Sequence, residues 1–320
     1  MFGRNFFFSL FQGGAEYNNG TAALQNEQFE KAIECFQKAV EKNPFFAEAH
    51  LNLGYALAKN EKMQDAKFEF VNGIDLLKQG NQVKTKDETT LNQKLSNAYK
   101  NLAVLVYEPL IYQAVQQGQP AEVIEYHTQY KNYLKNSFEI DPSQLLTNQM
   151  IQTMDDRLNK NIANAHFNAA TRHLEKKEFR VAIQNLEEAL KCFDQHLQAL
   201  LLLGLIYQTV DENDTALAYY EKAHKINKKD PKLLNTLAEL YGKKNDFDKA
   251  IRCYLKSLKI DPEQSGVLYN IATYYKILNQ NEKAVQFFQK YLVVESNAAD
   301  QKEVENMILE LQNTQNNNET

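Results

Sequence analysis

The chain has 320 residues, 43% of them hydrophobic and 24% charged, with a formal net charge of −5. That is enough material for one large or two ordinary cores. The two charge signs are interspersed, with no basic tract to neutralise a phosphate backbone, so nucleic acid is excluded as the expected partner. Three scattered cysteines without CxxC spacing, Cys35, Cys192 and Cys253, exclude a disulfide framework and fit a reducing, cytoplasmic setting.

Residues 1–12 carry five phenylalanines between positions 2 and 11. The stretch is too short and too aromatic for an ordinary signal peptide. It is expected to fold back on the first helices, the alternatives being a targeting sequence or an anchoring, partner-binding tail. No run in the chain approaches the ~18 apolar residues of a membrane helix.

From residue 13 the chain repeats itself. Residues 29–44, FEKAIECFQKAVEKNP, and 247–262, FDKAIRCYLKSLKIDP, are nearly one phrase. Steps of 34 from their shared alanine meet Ala32 and Ala66, then Ala182, Ala216, Ala250 and Ala284. Twelve places earlier in each unit stands a small residue: Gly20, Gly54, Ala170, Gly204, Ala238 and Ala272. Four places after the alanine come Phe36, Phe70, Leu186, Tyr220, Tyr254 and Phe288. The apolar spacings of 3 and 4 are helical, so each unit reads as two antiparallel helices. Glycine weakens a helix by about 1 kcal/mol relative to alanine, so its use marks a close crossing, with the aromatic filling the space beside it. Asn43-Pro44, Asp230-Pro231 and Asp261-Pro262 close units where a helix must stop or start. The repeats are placed at 13–46 and 47–80, then at 163–196, 197–230, 231–264 and 265–298.

The interval 81–162 breaks the register. QGNQVKTKDETT (79–90) reads as a loop. Leu91, Leu95, Ala98, Leu102 and Leu105 predict a long helix over 88–117, kinked at Pro109. Gly118, Leu134 and Asp141-Pro142 fit a degenerate repeat with Tyr130 at the alanine position. Ser143 is a good N-cap, and Leu146, Met150, Met154 and Leu158 continue a stripe into the repeat at 163, predicting one unbroken helix there. At the other end, Val304, Met307, Ile308 and Leu311 predict a capping helix over 299–312 that meets Tyr291. The tail 313–320, NTQNNNET preceded by Leu311-Gln312, is expected to be disordered.

These residues resemble the tetratricopeptide repeat family, as do the first-helix pairs Leu203 and Tyr207, Leu237 and Tyr241, and Ile271 and Tyr275. The family's first-helix tryptophan is absent. Glu16, His50, His166, Leu200, Leu234 and Leu268 stand in its place. The resemblance implies an all-α fold, a right-handed α-solenoid of stacked antiparallel helix pairs, here with an irregular central segment at 81–162.

No chemistry stands out against that frame. His166 and His173 share a helical face, but they occupy packing positions and no carboxylate or cysteine completes a tetrahedral set. Nucleotide-loop, nucleophile-elbow and zinc-protease motifs are absent. No enzyme activity, metal or cofactor is expected.

The resemblance implies a concave surface lined by first helices, which binds an extended peptide or a partner helix. Its implied positions here are Asn164, Phe167 and Thr171; Gln198, Leu201 and Leu205; Lys232, Asn235 and Glu239; and Tyr269 and Thr273. Chaperone adaptors of the family grip a C-terminal carboxylate with Lys, Asn, Asn, Lys and Arg on three repeats. The matching positions here are Phe167, Thr171, Leu202, Lys232 and Thr236, or Tyr17, Thr21, Asn52, Gln82 and Lys86. Only Lys232 and Asn52 agree, so no such clamp is expected. The expected function is a non-catalytic scaffold or adaptor for protein partners. The alternatives are a targeting receptor for a short peptide, and an accessory subunit of a mitochondrial or ciliary assembly anchored by its aromatic N-terminus.

Overall fold

A computed structural model describes residues 13–81, 88–141, 148–295 and 300–316. Every regular element among them is helical. The chain divides into two compact units, Met1–Asp194 and Gln195–Thr320.

The first unit begins with two helix pairs, α1 (Gly14–Gln25) with α2 (Phe29–Lys42) and α3 (Ala47–Lys59) with α4 (Met63–Asn81). Then come α5 (Glu88–Asn101), a π-helical turn (Leu102–Tyr107) and α6 (Glu108–Gln116). Three more helices complete it: α7 (Pro120–Ile140), α8 (Asn148–Glu175) and α9 (Phe179–Cys192). The second unit holds the pairs α10 (Leu197–Thr209) with α11 (Asn213–Ile226), α12 (Pro231–Lys243) with α13 (Phe247–Ile260), and α14 (Ser265–Ile277) with α15 (Asn281–Val294), closed by α16 (Gln301–Asn316). Each unit is thus a short α-solenoid.

The small residues sit where helices cross. All six repeat alanines are fully buried. A Cβ added to Gly20, Gly54 or Gly204 would lie 2.7, 3.0 or 2.8 Å from the ring of Phe36, Phe70 or Tyr220 in the second helix of the same pair. Because Ala250 is fully buried, with no free space for a larger side chain, Ala250→Leu is expected to destabilise the second unit by about 1–3 kcal/mol, read from its urea midpoint.

The turns inside the pairs repeat as closely as the core. Glu27, Glu61, Lys177, Asp211, Asn245 and Asn279 all have φ between 55° and 62°. In each case the following N–H bonds the carbonyl five residues back, as from Gln28 to Ala23 and from Asp246 to Tyr241, both 2.9 Å. This is the Schellman ending of a helix, with a left-handed residue just past its last turn. The polar residues of α1 are also accounted for. Glu16 pairs with Lys42 of α2, and Asn19 is exposed.

The middle segment departs from expectation in two places. Helices α4 and α5 take both ends of the expected loop, leaving 82–87 between them, outside the described residues. Helicity runs from 88 to 116, but the irregularity lies just ahead of Pro109 as a π-helical turn. Proline has no N–H, and its ring would press on the carbonyl of Leu105 in a regular helix. The wider turn, in which the Glu108 N–H bonds Ala103 O, accommodates it. Helix α5 crosses α7 through Ser96 and Ser137, both buried, whose hydroxyls each donate to the other's carbonyl at 3.0 and 2.9 Å.

Helix α8 runs unbroken from Asn148 through Glu175, as the lack of Gly and Pro predicts. Ser143 and Leu146, and the side chain of Met150, lie outside the described residues. At the C-terminus Val304, Ile308 and Leu311 are buried against Tyr291, whose hydroxyl donates to Asp300 at 2.8 Å. Helix α16 continues to Asn316, so the tail expected from 313 starts inside a helix: once a helix is seeded, each further residue adds a hydrogen bond. Residues 1–12 and 317–320 lie outside the described residues.

Candidate functional site

The expected groove positions divide between the units. Asn164, Phe167 and Thr171 lie on α8, with Asn164 exposed, the other two half-buried, and the Thr171 hydroxyl donating to Asn168 O at 2.9 Å. In the second unit Gln198, Leu201 and Leu205 lie on α10, Lys232, Asn235 and Glu239 on α12, and Tyr269 and Thr273 on α14. Gln198, Lys232 and Glu239 are exposed, and Leu205 leaves 50% of its surface open. Further members of the set are also engaged within the fold. Tyr269 packs edge-on against Phe288 and Tyr291, at 5.6 and 5.3 Å between ring centres. Thr273 donates to Tyr269 O at 3.0 Å, and the Asn235 amide donates to Gln264 at 2.7 Å.

A second concave surface, in the first unit, was not among the expected sites. A groove of about 200 Å³ opens between α1, α3 and α5. Its walls are Tyr17 of α1, Glu48, Leu51, Asn52 and Tyr55 of α3, and Lys94, Asn97 and Asn101 of α5. The Asn52 amide donates to the Tyr17 hydroxyl at 3.1 Å, and Lys94 pairs with Glu48 at 2.8 Å. The ion pair is roughly half exposed and close to neutral as a unit, so three amides and two phenols set the character of the groove.

The signal for this groove was present but misplaced. A constant step of 34 carries the third first-helix position to Gln82 and Lys86, which lie outside the described residues. The inserted residues instead bring Lys94, Asn97 and Asn101 to the groove.

The histidines considered for metal chemistry are separately engaged. His166 Nδ1 meets Asn185 Oδ1 at 3.0 Å, and His173 Nδ1 meets Glu178 Oε2 at 2.5 Å. Among the described residues no cluster of three His, Cys, Asp or Glu side chains could hold a metal ion. Burial pushes the thiols of Cys192 and Cys253 up, away from a reactive thiolate. Among the same residues, no helix is long and apolar enough to cross a membrane.

Comparison with known proteins agrees with the geometry. Family models described as tetratricopeptide repeats match residues 17–80, 195–263 and 253–286. No curated protein gives a match. Among solved structures the chain is similar to MamA, at 18% identity over 56% of this chain and 94% of that one, with a TM-score of 0.36. It is similar to the TPR2AB domain of yeast Sti1 in its pHSP90 complex, at 16% identity over 94% and 98% of the two chains, with a TM-score of 0.37. It is also similar to YrrB, described as a TPR protein with an unusual peptide-binding site, at 15% identity over 86% and 100%, with a TM-score of 0.39. The 34-residue period, the buried alanines, the recurring left-handed turns and the three matching family models all point one way: the chain belongs to the tetratricopeptide repeat family.

Proposed function

We propose that the protein is a non-catalytic adaptor whose first unit holds an extended, largely neutral peptide segment in the groove between α1, α3 and α5. The observation that carries this reading is the lining. Asn52, Asn97 and Asn101 each offer a donor and an acceptor, the pairing that a peptide group presents in return. Tyr17 and Tyr55 add flat, amphipathic surface at small entropic cost. A free C-terminal carboxylate is disfavoured, because the one lysine in the groove is already paired with Glu48. Among Phe167, Thr171, Leu202, Lys232 and Thr236 only Lys232 matches the clamp, which supports the same exclusion there. Leu201 and Leu205 of α10 supply a further apolar contact for the same partner or another.

A peptide array probed with the full chain tests this. Bound sequences are expected to be extended and low in net charge. Asn97→Ala with Asn101→Ala should weaken their binding roughly tenfold, equivalent to about 1.4 kcal/mol, with helical content unchanged by circular dichroism. Leu205→Glu serves as the second-unit arm, because Tyr269 is a packing residue and a charge there would disturb the fold. Binding that survives both changes, and is lost only when residues 1–12 are removed, would instead favour anchoring through the aromatic N-terminus.

A further inference from the structure

His50 lies in the first turn and a half of α3 and is 6% exposed. Its Nε2 is 3.1 Å from the carbonyl oxygen of Pro44, in the turn between α2 and α3. Its Nδ1 is 2.6 Å from Glu69 Oε2 on α4. A carbonyl oxygen only accepts, so Nε2 carries a hydrogen. A carboxylate also accepts, so the short contact at Nδ1 holds a second proton. Both ring nitrogens therefore act as donors, which describes imidazolium.

We propose that the His50–Glu69 contact is a proton-dependent pin, joining the turn 43–46 and the start of α3 to α4 and releasing when the ring loses its second proton. Burial by itself pulls the ring's pKa down. The hydrogen bonds to Glu69 and Pro44 and the charge of Glu69 outweigh it, so the net shift is upward from the ordinary value of 6.5. Helices α1 and α2 and the π-helical turn also pack near α3, but the charged group acting on the ring is Glu69 of α4.

The chain supplies its own comparison. His166 stands at the same repeat position, and its Nδ1 also meets a side chain 19 residues downstream, as His50 does. That partner is Asn185, a neutral amide with no charge to hold imidazolium. The same backbone arrangement thus offers the ring a carboxylate at 50 and an amide at 166. The pin matters to the groove because α3 also carries Glu48, Leu51, Asn52 and Tyr55. The inference stands apart from the proposed peptide binding and is tested without a ligand.

The sign follows from linkage. A folded pKa raised above the unfolded one gives stability that is fully present below pH 6.5 and is lost as pH rises through the folded value. His127 acts oppositely: burial first, then Arg157, lowers it to about 4, so its contribution is lost as pH falls from 6.5 toward 4 and does not touch the alkaline window. The imidazole resonances of the full chain, followed by NMR from pH 5 to 9 and assigned with His50→Gln, should show His50 titrating above 6.5. The first thermal transition should fall by about 2–4 °C between pH 6.5 and 8.5, and Glu69→Gln should remove that fall. A His50 midpoint at or below 6.5, or an unchanged alkaline fall in Glu69→Gln, overturns the proposal. Should Glu69→Gln fail to fold, the wild-type NMR midpoint decides alone.

Discussion

Replacing Phe36 with alanine is expected to destabilise the first unit by about 3–5 kcal/mol, the range for removing a fully enclosed aromatic side chain. Phe36 has no exposed surface, stands against Gly20 and lies 5.8 Å from the Tyr17 ring. On one side the ring meets the backbone of α1 at Gly20, which cannot collapse into the space as a loose side chain might. Phe68→Ala on the same unit, where the ring is 62% exposed, should change stability by no more than about 0.5 kcal/mol. A double-mutant cycle sharpens the test. In the natural chain Gly20→Ala must push a buried ring that lies 2.7 Å from the new carbon, so it should destabilise. In the Phe36→Ala background the ring is gone, and the same change should stabilise by up to about 1 kcal/mol through helix propensity. Urea midpoints for the four proteins give the coupling directly. A Gly20→Ala effect of the same sign in both backgrounds would mean that Gly20 and Phe36 do not meet.

The same close approach explains why so much of the fold could be read from the sequence. Where two backbones nearly touch, few residue types are tolerated, and the constraint recurs with every pair; Gly20, Gly54 and Gly204 mark it as clearly as the buried alanines do. Helix α5 obeys no such period. Its crossing with α7 relies on Ser96 and Ser137, 41 positions apart, and neither belongs to a local pattern. The groove in the first unit was hidden for a related reason. Its third wall is α5, and the residues inserted before that helix shift Lys94, Asn97 and Asn101 away from the positions a fixed period assigns. Periodicity also tells which face of a helix a residue occupies, but not what lies over that face. Tyr269 is therefore legible as a first-helix residue and not as one covered by Phe288 and Tyr291. The proline effect at 109 was legible in kind; the π-helical form depends on how the chain chose to relieve it.

The substitution Gly118→Ala should destabilise the first unit by about 3 kcal/mol or more, for two separate reasons. Gly118 has φ +58°, a conformation that costs a residue with a side chain about 1–2 kcal/mol. A methyl group there would also lie 2.5 Å from the backbone nitrogen of Ala169 and 2.8 Å from its Cα. Those atoms belong to the 28-residue helix α8, so relief requires moving a helix. Moving it would pull apart the bonds that finish α6, in which Asn168 donates to Val115 O at 2.7 Å and Arg172 donates to the carbonyls of Gln116 and Gln117. Reduced freedom of the unfolded chain returns at most about 1 kcal/mol. Lys177→Ala separates the two causes. Lys177 has nearly the same φ, 62°, but already bears a side chain that is exposed, so alanine there should be close to neutral. A Gly118→Ala loss below about 1 kcal/mol in urea titration would show that α6 and α8 are farther apart than the structure places them, and that the left-handed turn alone accounts for the glycine.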